Sequence, residues 1–190
     1  MPAALFWTLT IGAALAQDSV ESVPEPNEAE YRRLSMELQS LAQRNAWAGV
    51  ERAWQKLRAT GVEPRFEDLL TAAHSARAMG DVAGVRDRLI LAADLRPIRD
   101  VVEWKWEIEQ TYGRVSLACD AKGKKRPTLD REVMPFDPNQ ARAVVYAQEQ
   151  IATDCLFIGM LPGGEYEFGD KTLVVHPRLE SVTVDLRKRH

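Results

Sequence analysis

The hydrophobic period of this chain changes once, near Gly113, and that change limits the fold more than any other feature. From about Asn27 to Tyr112, apolar residues return every three or four positions, the spacing of one helix face. Tyr31, Leu34, Leu38 and Leu41 set a first helix, broken at Asn45. Trp47, Val50, Trp54 and Leu57 set a second, closed by Gly61 and Pro64. Leu69, Leu70, Ala73 and Ala76 mark a third, with Gly80-Asp81 as the turn after it. Val82, Val85, Leu89, Leu91 and Ala92 mark a fourth that stops before Pro97, and Val101, Val102, Trp104, Trp106 and Ile108 mark a fifth. After Gly113 the period falls to two: residues 113–119 alternate as a half-buried strand does. Helices first and strands afterwards predict an α+β fold, with antiparallel helical hairpins over 28–112 and a small antiparallel β-sandwich over 113–190.

The helices also repeat. Leu41 to Leu57 aligns with Ala76 to Ala92 at a fixed offset, and Ala48-Gly49-Val50 is identical to Ala83-Gly84-Val85. The second unit carries Ala73, Ala76, Gly80-Asp81, Val85, Leu89, Ala92 and Pro97. In that order and spacing it resembles a tetratricopeptide repeat: small residues let paired helices approach, Gly-Asp makes the turn, and Pro ends the unit. The first unit departs, with Asn45-Ala46 at the turn and Pro64 later than its counterpart Pro97. The resemblance implies stacked hairpins with a concave groove for a peptide or partner surface. A plain helical bundle is the alternative.

In the back half, further strands are expected at 156–160, 165–168, 171–176 and 181–186, with Gly169-Asp170 as a two-residue hairpin turn. Residues 121–127 read as a polar, basic turn. Asp137-Pro138 offers a helix cap, and Val144, Val145, Ala147 and Ile151 fit a short amphipathic helix or an irregular insert. The run Phe157-x-Gly159-x-Leu161-Pro162-Gly163-Gly164-Glu165-Tyr166-x-Phe168 precedes Leu173-x-Val175 and Val182-x-Val184. It is similar to the small β-sandwich repeats related to the carboxypeptidase regulatory domain, and to PEGA-type surface domains in its Leu-Pro-x-Gly-x-Tyr core. Leu-Pro-Gly-Gly turns the chain between two strands, which sets Tyr166 and Phe168 on one face and Glu165 and Glu167 on the other. The resemblance covers Cys155 to Leu186, and the insert 128–150 has no simple place in it. It implies an immunoglobulin-like or prealbumin-like sandwich with structural and binding roles, and it carries over no catalytic residue.

The front of the chain indicates a compartment. Residues 3–14 are apolar and lead into Ala14-Leu15-Ala16, a small-x-small pattern of the kind signal peptidase cuts. The run is too short for a permanent anchor, so residues 1–16 are expected to be a signal peptide, with no stable membrane span after cleavage. No Lys or Arg precedes the run, so its positive charge falls to the free amino group or to an earlier start codon. No cysteine closes the run, which excludes a lipobox anchor. Residues 17–27 are acidic, contain Pro24 and Pro26, and read as a flexible linker. Export to the periplasm or beyond places Cys119 and Cys155 in an oxidising compartment, where an even pair reads as a disulfide. Such a loop closure stabilises a fold by roughly 3–4 kcal/mol. Two buried thiols are the alternative.

No chemistry-bearing constellation emerges. His74, His176 and His190 share no metal-ligand spacing, and no CxxC, HExxH, GxSxG, Gly-rich phosphate loop or calcium loop occurs. Glu165 and Glu167 share one strand face, which fits solvent better than acid–base work. The chain is therefore read as non-catalytic, with no cofactor and no metal. A net charge of −3 gives no long-range pull toward nucleic acid, and Arg187-Lys188-Arg189 reads as a solvated tail. Trp47 and Trp54, one heptad apart, are expected in the helical core. Trp104 and Trp106 are two apart and cannot face the same way on a helix, so one of them is expected to be exposed or to pack on the strand half, and the pair is the candidate binding surface. The expected function is that of an exported scaffold or interaction protein of the cell envelope, whose partner is another envelope protein. The alternative is a glycan or cell-wall binding module that uses Trp104 and Trp106.

Overall fold

The structure, a computed structural model, describes residues 26–120, 126–178 and 181–187. The expected signal peptide, most of the expected linker, most of the basic turn at 121–127, His190 and the end of the basic tail lie outside the described residues. The chain order is α1 (Pro26–Gln43), α2 (Trp47–Ala59), α3 (Phe66–Met79), α4 (Val82–Leu95), α5 (Arg99–Thr111) and β1 (Tyr112–Ala118), then β2 (Leu129–Asp130), α6 (Pro138–Asp154), β3 (Leu156–Pro162), β4 (Gly164–Phe168), β5 (Lys171–Val175) and β6 (Ser181–Asp185). Five helices precede the first strand, as the change of period requires, and α6 falls between β2 and β3. Pro26 and Asn27, assigned to the linker by composition, open α1, where a proline costs no hydrogen bond.

The α1–α2 and α3–α4 turns are built alike. Asn45 (φ 55°) and Gly80 (φ 89°) are both left-handed. The Ala46 amide donates to the Leu41 carbonyl at 3.0 Å, and Asp81 donates to Ala76 at 2.9 Å. Trp47 donates to Asn45 and Val82 to Gly80. Asparagine is among the few side chains that enter this region at small cost, which explains how the first unit turns without glycine. The units differ at the helix start: Asp81 accepts from the Gly84 amide at 2.9 Å and caps α4, whereas Ala46 leaves α2 without a side-chain cap.

The helical core is Leu34, Leu38, Val50, Trp54, Leu57, Leu69, Leu89 and a set of alanines, with Trp47 packed at its edge. Two charged groups that periodicity does not mark are buried in it. Asp68 accepts from Tyr31 at 2.7 Å, Ser35 at 2.8 Å and Gln39 at 3.2 Å, which ties α3 to α1. Arg88 donates to Glu51 at 2.7 Å and to the Ala72 carbonyl at 2.6 Å, which ties α4 to α2 and α3. A buried charge left unpaired would be costly, so these bonds fix the helix register. Leu91 and Val102, counted on helix faces by spacing, are exposed instead.

The strands form two three-stranded sheets, ordered β3-β1-β6 and β2-β4-β5. Three of the four described pairings are antiparallel, and β1 runs parallel to β6. Leu161-Pro162-Gly163-Gly164 carries the chain from one sheet to the other and does not close a hairpin, since β3 and β4 are unpaired. Tyr166 and Phe168 point inward and Glu165 and Glu167 outward, as alternation requires. The insert finds its place here. Its first residues form β2 on β4, and α6 buries Val144, Ala147 and Ile151 in the strand core. Asp137 caps α6 by accepting from the Asn139 and Gln140 amides at 2.9 Å. Arg126 donates to the Ala152 and Thr153 carbonyls at its other end. Cys119 and Cys155 form a disulfide that joins the end of β1 to the α6–β3 junction, where the Cys119 amide also donates to the Cys155 carbonyl at 2.8 Å.

The two halves touch. Ala143 and Met160 belong to the helical core, and Arg142 of α6 donates to the Ala78 carbonyl at 3.1 Å. Gly80 is required there twice over, by its left-handed φ and because a Cβ would meet the Arg142 carbonyl oxygen at 2.6 Å.

Candidate functional site on the fifth helix

α5 carries more apolar residues than one buried face can use. Val101 and Ile108 fill the core face. Ile98, Val102 and Trp106 are spaced by four, so they form a second stripe along the helix. They are 39%, 42% and 61% exposed. The signal was present in the sequence, because apolar positions on two sides of one helix exceed what a single core contact needs.

The structure does not bring Trp104 and Trp106 together. Trp104 turns toward α3, where its indole stacks on the His74 ring at 4.9 Å between centroids and the Arg77 guanidinium lies 5.4 Å away. Burial, and then the positive charge of Arg77, hold the His74 imidazole below its ordinary pKa, so that ring favours its neutral form. Trp104 also lines a crevice with Arg77, Val82, Ile108, Tyr112 and Asp137. Its volume of about 50 Å³ is space for a water or two and is too small for a sugar ring. Trp106 stands outside that crevice with its ring open.

Charge frames the stripe. α5 holds Asp100, Glu103, Glu107 and Glu109 against Arg99 and Lys105, so carboxylates outnumber cations. Arg99 pairs with Glu103 at 2.7 Å, an exposed contact of small energetic weight. Glu109 turns away to hold Arg86 of α4 at 3.1 Å. The arrangement presents an apolar line on an acidic helix.

His176 follows the last residue of β5, beside Pro177. Among the described residues no group of three or more His, Cys, Asp or Glu is placed to hold a metal ion, and no helix is long and apolar enough to cross a membrane. No family model, no curated protein and no solved structure matches this chain.

Proposed function

We propose that this chain is an exported, non-catalytic interaction or scaffold protein of the cell envelope, which docks a partner protein on the exposed face of α5. The observation that carries the reading is the unpartnered Ile98–Val102–Trp106 stripe. Aromatic side chains with a half-open ring are the residues on which interface energy concentrates. Met36 of α1, Thr71 of α3 and Trp106 of α5 recur at the offset that relates the two turns, and Met36 is exposed as well. This supports a helical-repeat surface of the tetratricopeptide kind, extended over successive helices. The acidic setting of the stripe favours an apolar segment flanked by basic residues. The disulfide supports an oxidising compartment, periplasmic or extracellular.

The test is site-specific photocrosslinking in envelope preparations, with the probe at Val102 and, as control, at the exposed Arg52 of α2. A single protein captured from Val102, absent from Arg52 and lost in Trp106→Ser, is the expected result. Equal capture from both positions overturns the reading.

A second reading rests on one observation, the 61% exposed indole of Trp106, which offers a face for a sugar ring. Trp104, covered by His74, adds nothing to it. Titration of tryptophan fluorescence with cell-wall polysaccharide separates the two, since only glycan binding gives a saturable change that Trp106→Ala abolishes.

A further inference from the structure

A groove of about 380 Å³ lies between α4 and the outer face of the β3-β1-β6 sheet. Its volume falls within the roughly 300–1,000 Å³ of small-ligand sites. The floor follows from strand register. Arg114 sits between Met160 and Ser181, and Ser116 sits beside Ile158, all on the face opposite the strand core. The wall is Ala83, Arg86 and Asp87, which share one face of α4 by their spacing. Ile158 is 72% exposed at the centre of this polar surround.

The donors in the groove are incompletely used. Arg86 is mostly buried, and Glu109 holds it from behind at 3.1 Å, while Asp87 stays 3.9 Å away. Its Nε is buried with no hydrogen-bond partner. A guanidinium has five N–H donors, and leaving them unsatisfied away from water is costly. Arg114, on the floor, makes no ion pair with any described residue. The lining carries two arginines against one aspartate, and Glu109 behind Arg86 brings the local charges into balance.

We propose that this groove binds a single carboxylate borne on a short aliphatic arm. The carboxylate lies between Arg86 and Arg114, where forked guanidinium bonds are strongest, and accepts from the Ser116 and Ser181 hydroxyls. The arm covers Ile158. Arg86 already faces Glu109 and Asp87, so Arg114 supplies the one positive charge left over, which matches a monoanion, and Asp87 in the wall disfavours a phosphate dianion. The site is separate from the α5 stripe and does not depend on it.

The test is an NMR titration of the full mature chain with hexanoate and with a tripeptide that ends in leucine and a free carboxylate, both to millimolar concentration. Hexanamide and hexyl phosphate are the controls. The expected result is saturable shifts at Arg114, Ser116, Ile158 and Gly159 with at least one carboxylate, none with hexanamide, and weaker ones with the phosphate. The tighter of the two carboxylates identifies the source as a free acid or a chain terminus. Arg114→Gln, an exposed change that leaves the fold intact by circular dichroism, weakens binding at least about tenfold. Ile158→Ser weakens it through the arm. Absence of saturable shifts with both carboxylates, equal shifts with hexanamide, or unchanged affinity in Arg114→Gln overturns the proposal.

Discussion

Between α1 and α5 the buried partners of each helix lie mainly in the helices adjacent to it, whereas β1 finds its partners, β3 and β6, in distant parts of the chain. The helical half is closed by small residues, by left-handed turns at Asn45 and Gly80, and by polar ties through Asp68 and Arg88. The strand half has β1 paired with β3 and β6 across long intervals, a helix inserted between its strands, and a disulfide where β1, α6 and β3 meet. A half built from neighbours closes short loops and gives up less chain entropy per contact. A half built from distant pairings gains more from a covalent link. The comparison teaches where an open surface can be tolerated: α5 ends the locally built array and leaves its second apolar face uncovered.

The largest test of that division is a cavity in each core. Trp54→Ala and Phe168→Ala each remove a fully buried ring and should cost about 3–5 kcal/mol. Hydrogen exchange should show loss of protection mainly in the helical half for the first and mainly in the strand half for the second. Uniform loss in both would make the molecule one cooperative unit and break the comparison.

The seam between the halves comes next. Gly80→Ala forces a side chain into a left-handed position and against the Arg142 carbonyl of α6, and should cost about 1–3 kcal/mol in thermal melts. Full stability in that variant would mean α6 does not press on the α3–α4 turn. A smaller effect belongs to the polar tie. Tyr31→Phe removes the donor to Asp68 and the acceptor of the Arg65 amide, for a loss of about 1–2 kcal/mol by denaturant unfolding. Unchanged stability would show that the α1–α3 register is set by packing alone.

The smallest effect is a pH dependence. His74 has a folded pKa below its ordinary value near 6.5, because burial against Trp104 and the charge of Arg77 both penalise its protonated form. The unfolded chain therefore takes up the proton more readily. The wild-type protein keeps full stability above the ordinary value and loses it as pH falls through the folded one. His74→Gln should flatten the fall of melting temperature below about pH 6.5. Parallel curves for the two proteins would remove His74 from the helical half's balance.

Much of this architecture was legible in the sequence because it follows from period and punctuation. The five front helices, the Gly80-Asp81 turn, the Asp137 cap and the facing of Tyr166 and Phe168 all come from spacing. What was not legible depends on who neighbours whom. Arg88 and Asp68 sit beside apolar positions in sequence, and only the fold supplies the partners that let them be buried. The parallel pairing of β1 with β6 joins segments far apart in the chain, and at Gly163 the chain crosses between sheets; alternation along a strand is silent on both. For the candidate site, the sequence placed Trp104 and Trp106 on different faces. It did not indicate that Trp104 would be covered by His74. The four-residue spacing of Ile98, Val102 and Trp106 was legible, but spacing alone is silent on which apolar side of the helix the core takes.

Hydrogen exchange of the folded chain with and without reductant tests the division directly. Opening the Cys119–Cys155 link should remove roughly 3–4 kcal/mol. Faster exchange is expected in β1, α6 and β3 while α1 to α4 keep their protection. Loss of protection that starts in α1–α4, or no change anywhere, would contradict it.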